Sequence, residues 1–168
     1  MQNMETDNLD IAVALGNADT EGIEVWNMSF YDQFTSLEGR INRLRYLTLS
    51  ILTLIGGFVY AIIIALLTFW MPEPFWTILL TILFLPIYYI TYALNVKRLQ
   101  DSGRGDGWIS YAQIAIVLSI IYSMTPLDSD IEFFMAIISG FVSLPLGIVC
   151  LFFRGDTGPN QFGPDPLA

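Results

Sequence analysis

The sequence predicts an all-α, polytopic membrane protein with four transmembrane helices and both termini in the cytoplasm. Three observations carry that prediction. Four long stretches, Tyr46 to Met71, Pro74 to Val96, Trp108 to Leu127 and Phe133 to Phe153, contain no Asp, Glu, Lys or Arg. An α-helix rises about 1.5 Å per residue, so about 20 apolar residues cross a hydrocarbon core of about 30 Å. The 168 residues are 54% hydrophobic, and the apolar residues are gathered into those stretches instead of recurring at helical period among polar ones. Finally, all seven Lys and Arg fall at alternate ends of the runs. Arg40, Arg43 and Arg45 precede the first, Lys97, Arg98 and Arg104 separate the second from the third, and Arg154 follows the fourth. The connections Met71–Pro74 and Pro126–Glu132 carry acidic residues and no basic one. Loops rich in Lys and Arg stay on the cytoplasmic side, which sets the orientation.

Four regions follow from this pattern. Residues 1–24 are an acidic cytoplasmic tail, expected to be disordered because they carry charge and no aromatic residue. Residues 25–45 are an interfacial aromatic and basic segment, in which Trp26, Met28, Phe30, Tyr31 and Phe34 alternate with polar neighbours. Amphipathic aromatic side chains belong at headgroup depth. Residues 46–153 form the transmembrane domain, with spans at about 46–71, 74–96, 108–127 and 133–153. Residues 154–168 are a turn-rich cytoplasmic tail.

Within these regions, Thr35-Ser36-Leu37-Glu38 fits a capping box, which predicts a helix starting there and running on into the first span. Arginines at that helix start oppose the helix dipole, so topology and lipid headgroups, not local helix energetics, account for them. At the end of the second span the dipole favours Lys97 and Arg98, and Gly103 suits a left-handed helix cap. Pro86 and Pro145 predict kinks in the second and fourth spans, tolerable where neighbouring helices satisfy the freed carbonyls.

The net charge of −9 is concentrated in the first 38 residues, which hold eight acidic residues and no basic one. Nucleic acid is excluded as a partner, since a phosphate-binding surface needs clustered cations. An ordinary secretory signal is not expected, because no basic segment leads into a short apolar stretch. Histidine is absent and Cys150 is the lone cysteine, so neither a disulfide, a metal site nor a cofactor is expected.

Three segments together resemble the YhaH-like family of small bacterial inner-membrane proteins, a domain of unknown function (805). They are Gly39-Arg40-Ile41-Asn42-Arg43-Leu44-Arg45-Tyr46, then Lys97-Arg98-Leu99-Gln100-Asp101 through Gly103-Arg104 to Gly107-Trp108, then Gly158-Pro159-Asn160 through Phe162-Gly163-Pro164-Asp165-Pro166. The resemblance covers about residues 26–168. It implies an integral protein of the bacterial inner membrane and no particular reaction. Where that family often carries His this chain has Gln100, and Asp106 stands near the place of a Ser.

The candidate contact residues are Arg40, Arg43, Lys97, Arg98, Asp101, Arg104 and Trp108. For the charge stripe Lys97, Arg98, Asp101, Arg104 and Asp106 two readings stay open. Either the charges mark topology and are solvated in local pairs worth about 0–1 kcal/mol each, or Arg98 and Arg104, beside glycine-rich backbone amides, hold a lipid phosphate or a partner carboxylate. Both basic connections and the carboxyl tail fall on one side, so Asp156 or Asp165 is expected to pair with Arg40, Arg43 or Arg104 in one polar cap. Catalytic residues are not expected, for no nucleophile lies beside a base. The expected role is therefore non-enzymatic: an accessory, assembly or lipid-contacting protein working through its arginine-rich loops. Its partners would be the bilayer with anionic headgroups, and a membrane-protein partner or second copy. A small oligomeric transporter or channel is the alternative, and a lipid-modifying enzyme the next. No span contains an ionisable residue to mark an ion path.

Overall fold

A computed structural model describes residues 29–72, 75–126, 129–163 and 165–167. The expectations for residues 1–24, and for Trp26 and Met28, lie outside the described residues. Those described are helical and turn-forming, with no strand beyond an isolated antiparallel bridge, Asn160 to Gly163. The helices are α1 (Phe30–Thr35), α2 (Arg43–Thr68), α3 (Phe75–Asp101), α4 (Asp106–Ser123) and α5 (Asp130–Phe152).

Side-chain caps set three of the helix starts. Ser29 Oγ accepts from the Asp32 amide (3.1 Å), Asn42 Oδ1 from that of Arg45 (2.8 Å), and Ser129 Oγ from that of Glu132 (3.0 Å). Each satisfies an amide that has no partner inside its helix. The capping box expected at Thr35 does not form. Thr35 ends α1 instead, Ser36 Oγ accepts from the Glu38 amide (3.0 Å), and Gly39 turns the chain at φ 94°. A left-handed backbone at Gly39 cannot continue a helix, so α2 starts only after Asn42.

α2, α3 and α5 are long and apolar enough to cross a membrane. α4 has 18 residues, about 27 Å of helix, and carries Asp106 and Gln113. The last turn of α3 runs five residues beyond the uncharged stretch that ends at Val96, taking Lys97, Arg98 and Asp101 into the helix. α2 packs on α3, α3 on α4, α4 on α5 and α5 back on α2, with α3 also touching α5 and α1 lying on α3. Outward-facing Leu54, Phe58, Leu66 and Phe141 are exposed, the arrangement of a bundle whose solvent is hydrocarbon.

Polar groups inside the bundle bond between helices. Thr81 Oγ1 donates to the Ser123 carbonyl (3.1 Å), Ser119 and Ser139 hydroxyls meet at 3.3 Å, and the Tyr46 hydroxyl donates to Asn95 Oδ1 (2.8 Å). The two internal prolines share one solution. Three residues before Pro86 the Leu83 carbonyl accepts the Tyr60 hydroxyl (3.1 Å), and three before Pro145 the Val142 carbonyl accepts that of Tyr111 (2.7 Å). Proline removes a ladder hydrogen bond, and a tyrosine from the neighbouring helix supplies a donor where the ladder is weakened.

Candidate functional site, a buried cationic cap at one end of the bundle

Lys97 and Arg98 are adjacent on the last turn of α3, so their side chains diverge by about 100° around the helix axis. Each reaches the carboxyl end of a different helix. Lys97 Nζ donates to the Asp32 and Gln33 carbonyls of α1, at 3.2 and 2.5 Å. Arg98 Nε donates to the Cys150 carbonyl of α5 (2.8 Å), and its Nη2 to that of Phe153. The last carbonyls of a helix have no partner within it and carry its negative dipole end, and α5 has no basic residue in its own last turn. A lysine and an arginine of α3 therefore close two other helices.

Arg40 approaches from the segment before α2. Its Nη1 donates to the Gly158 carbonyl (2.7 Å) and the Gly163 carbonyl (3.2 Å), and its Nη2 to the Asp156 carbonyl (2.7 Å). The planar guanidinium suits this fan of acceptors, since its donors are held in a fixed fork. Asp101 joins the two arginines: Oδ1 pairs with Arg40 Nη2 at 3.3 Å and Oδ2 with Arg98 Nη1. Arg40, Lys97, Arg98 and Asp101 are 0, 0, 1 and 3% exposed. Lys97, Arg98 and Asp101 are thus not solvated, and Arg40 is buried with them, while Arg104 is half-buried and Asp106 exposed. Charges withdrawn from water need partners: Arg40 and Arg98 share the Asp101 carboxylate and bond main-chain carbonyls, Lys97 bonds carbonyls alone, and Arg40 Nε is left without a hydrogen bond among the described residues.

The carboxyl tail folds over this centre. The Asp156 amide donates to the Asp101 carbonyl (2.7 Å), and Asn160 Nδ2 to the Gln100 carbonyl (3.0 Å). Asp165 accepts from the amides of Gly158 (2.7 Å) and Leu167 (2.9 Å), which hold its carboxyl below the usual carboxylate range. The expected polar cap therefore exists, with different pairings. Arg40 takes the tail's main-chain carbonyls and the Asp101 carboxylate, while the Asp156 side chain accepts from Asn160 Nδ2 (3.2 Å). Glycine fits where the tail meets α3, because a Cβ at Gly155 would collide with the Asp101 carboxylate. Gly155→Ala is expected to lower stability by about 1–3 kcal/mol through forced overpacking. Gly107→Ala, with open space at its Cβ, should leave thermal unfolding unchanged or raise it. Equal melting temperatures for the two variants would contradict the tight tail contact.

The remaining candidates lie around the rim. Arg104 sits 4.2 Å above the Phe153 ring and donates to the Ser102 carbonyl (3.3 Å). Trp108 is not among the charges; it stands edge-on to Tyr111 against the apolar core. Arg43 is exposed, and it shares a cleft of about 250 Å3 with Arg154, Asp156 and Asp165. Arg154 is missing from the sequence-derived set. As a single cation after the fourth run it looks like a topology marker, and only the fold brings it beside Arg43.

Membrane-length apolar helices, with cations buried in a cap at one end, define an all-helical membrane protein whose basic segments close its own bundle. The chain belongs to the family described as Protein of unknown function (DUF805), whose family model matches residues 34–164, more than three-quarters of its length. This is the domain family that the three segments suggested, while the YhaH-like name rests on the sequence resemblance alone. Neither a curated protein nor a solved structure matches the chain.

Proposed function

We propose that this is a four-span protein of the bacterial cytoplasmic membrane, with α4 as the fourth crossing and both termini in the cytoplasm. Its role is non-enzymatic, an accessory one exercised on the phosphates of lipid headgroups through the basic end. One observation carries the reading: charge is segregated in space as it is along the chain. α2 and α4 begin, and α3 and α5 end, at the face that gathers every Lys and Arg, while Asp130 and Glu132 open α5 at the far end. The contact of Thr81 with Ser123 near that far end supports α4 as a full crossing beside α3.

The burial of Arg40, Lys97 and Arg98 narrows which cations meet lipid. Arg43 and Arg154 are exposed, and each stands next to exposed apolar residues, Leu44 and Phe153. That is the depth at which guanidinium groups meet headgroup phosphates, with about 1 kcal/mol of attraction for each cation near an anionic surface. Membrane-impermeant maleimide on intact spheroplasts tests the orientation, in a Cys150→Ala background carrying either Asp130→Cys or Thr157→Cys, both at exposed positions. The expected result is labelling of the first and protection of the second until the membrane is opened. Labelling of the second alone would reverse the orientation, and labelling of neither would remove Asp130 from the outer side.

A further inference from the structure

The cleft beside the cap carries both signs of charge. One wall is the start of α2, with Asn42 as cap and Arg43 in the first turn, where the helix dipole is positive. The other is the chain leaving α5, with Arg154 followed by Gly155 and Asp156; Asp165 of the tail completes it. Asp101 also borders the cleft, but its carboxylate is engaged by Arg40 and Arg98. Unlike those of the buried cations, the guanidiniums of Arg43 and Arg154 make no hydrogen bond or ion pair among the described residues, and both residues are exposed. The Asp156 side chain is exposed too.

We propose that this cleft holds the aminoethyl phosphate headgroup of a phospholipid, with the phosphate on Arg43 and Arg154 and the ammonium on Asp156 and Asp165. This rests on the reading above that the basic end lies at headgroup depth, and it names which headgroup is taken. Arg43 and Arg154 come from separate segments to line the same cleft, and guanidinium groups pair with phosphate oxygens through their forked N–H donors. Carboxylates beside them would repel a purely anionic headgroup and require a cation at the other end of the ligand. A primary ammonium offers three N–H donors to these oxygens, whereas a trimethylated one offers none. The volume, about 250 Å3, lies just below the usual range for small-molecule sites of about 300–1,000 Å3, which suits a headgroup whose acyl chains stay in the bilayer.

The test uses the full chain in nanodiscs of phosphatidylcholine doped with equal parts phosphatidylethanolamine and phosphatidylglycerol, and counts retained lipid by native mass spectrometry. Wild type is expected to retain phosphatidylethanolamine over phosphatidylglycerol by roughly fivefold, as about 1 kcal/mol from exposed ion pairs provides. Arg43→Gln with Arg154→Gln should lower retention of both lipids, and Asp156→Asn should erase the preference while leaving phosphate binding. All three substitutions lie at exposed positions, and unchanged thermal unfolding would establish that the fold is intact. Equal or greater retention of phosphatidylglycerol by wild type, or a preference indifferent to Asp156→Asn, overturns the aminoethyl assignment alone. Retention of no phospholipid overturns it together with the headgroup role.

Discussion

Asp101→Ala is expected to lower the melting temperature of the detergent-purified protein more than any other single change in the cap. The Asp101 carboxylate is the sole acidic side chain recorded in ion pairs with Arg40 and Arg98 among the described residues, and those arginines are 0 and 1% exposed. Removing it leaves two buried guanidiniums without a counter-charge. Breaking a buried pair from one side costs about 3–5 kcal/mol, because the remaining charge has already lost its water. Asp101→Asn keeps the shape and should lose nearly as much, since an amide supplies no negative charge. Asp130→Ala, at an exposed position at the other end, provides the comparison and should stay within about 0.5 kcal/mol. An Asp101→Ala protein as stable as the Asp130→Ala protein would mean that the arginines are neutralised from elsewhere.

The second large effect is expected from Arg40→Lys, which keeps the charge and loses the fork. Arg40 binds three tail carbonyls, those of Asp156, Gly158 and Gly163, while paired to Asp101. A lysine ammonium has three donors at one point and cannot span those separated acceptors. Losing hydrogen bonds from a charged donor to the part-buried Asp156 and Gly158 carbonyls comes to about 3 kcal/mol, while the Gly163 carbonyl keeps the Asn160 amide (3.0 Å). The tail should detach before the bundle opens, so limited proteolysis is the sharper readout. Cleavage between residues 154 and 167 should accelerate in Arg40→Lys, while the helices α2 to α5 remain resistant. A tail cut at the wild-type rate would show that the Asp156 amide on the Asp101 carbonyl and the Asn160 side chain on the Gln100 carbonyl hold it without Arg40.

Arg98 illustrates how a charge pattern legible in sequence changes meaning in three dimensions. Its position after an apolar run placed it on the side where basic loops gather, and that inference needs only the run and the charge. Its destination, the end of α5 more than fifty residues away, could not be read there, because which helix ends face each other depends on packing. The same holds for Arg40. A main-chain carbonyl has no residue identity, so sequence offers no signal for a side chain whose partners are carbonyls. The expectation of pairing with Asp156 or Asp165 looked among acidic side chains, whereas the fold supplies backbone. The capping box at Thr35 went wrong for a local reason: its residue types fit, but Gly39 takes a left-handed turn four residues later and interrupts the helix. Pro86 and Pro145 were legible as weak points, and only the fold reveals Tyr60 and Tyr111 as the donors beside them.

By itself the sequence determined the helical class, the position of the apolar stretches, the family and the confinement of cations to alternate connections. These follow from composition and spacing along a single chain, where hydrophobic burial and backbone hydrogen bonding leave few choices. Tertiary structure decided which of those cations are spent and which are free to meet a ligand. Arg40, Lys97 and Arg98 are drawn inward because helix ends and a folded tail present them with main-chain carbonyls, while Arg43 and Arg154 remain outside. Desolvation depends on what surrounds a charge in space, and no pattern of neighbours along the chain encodes it.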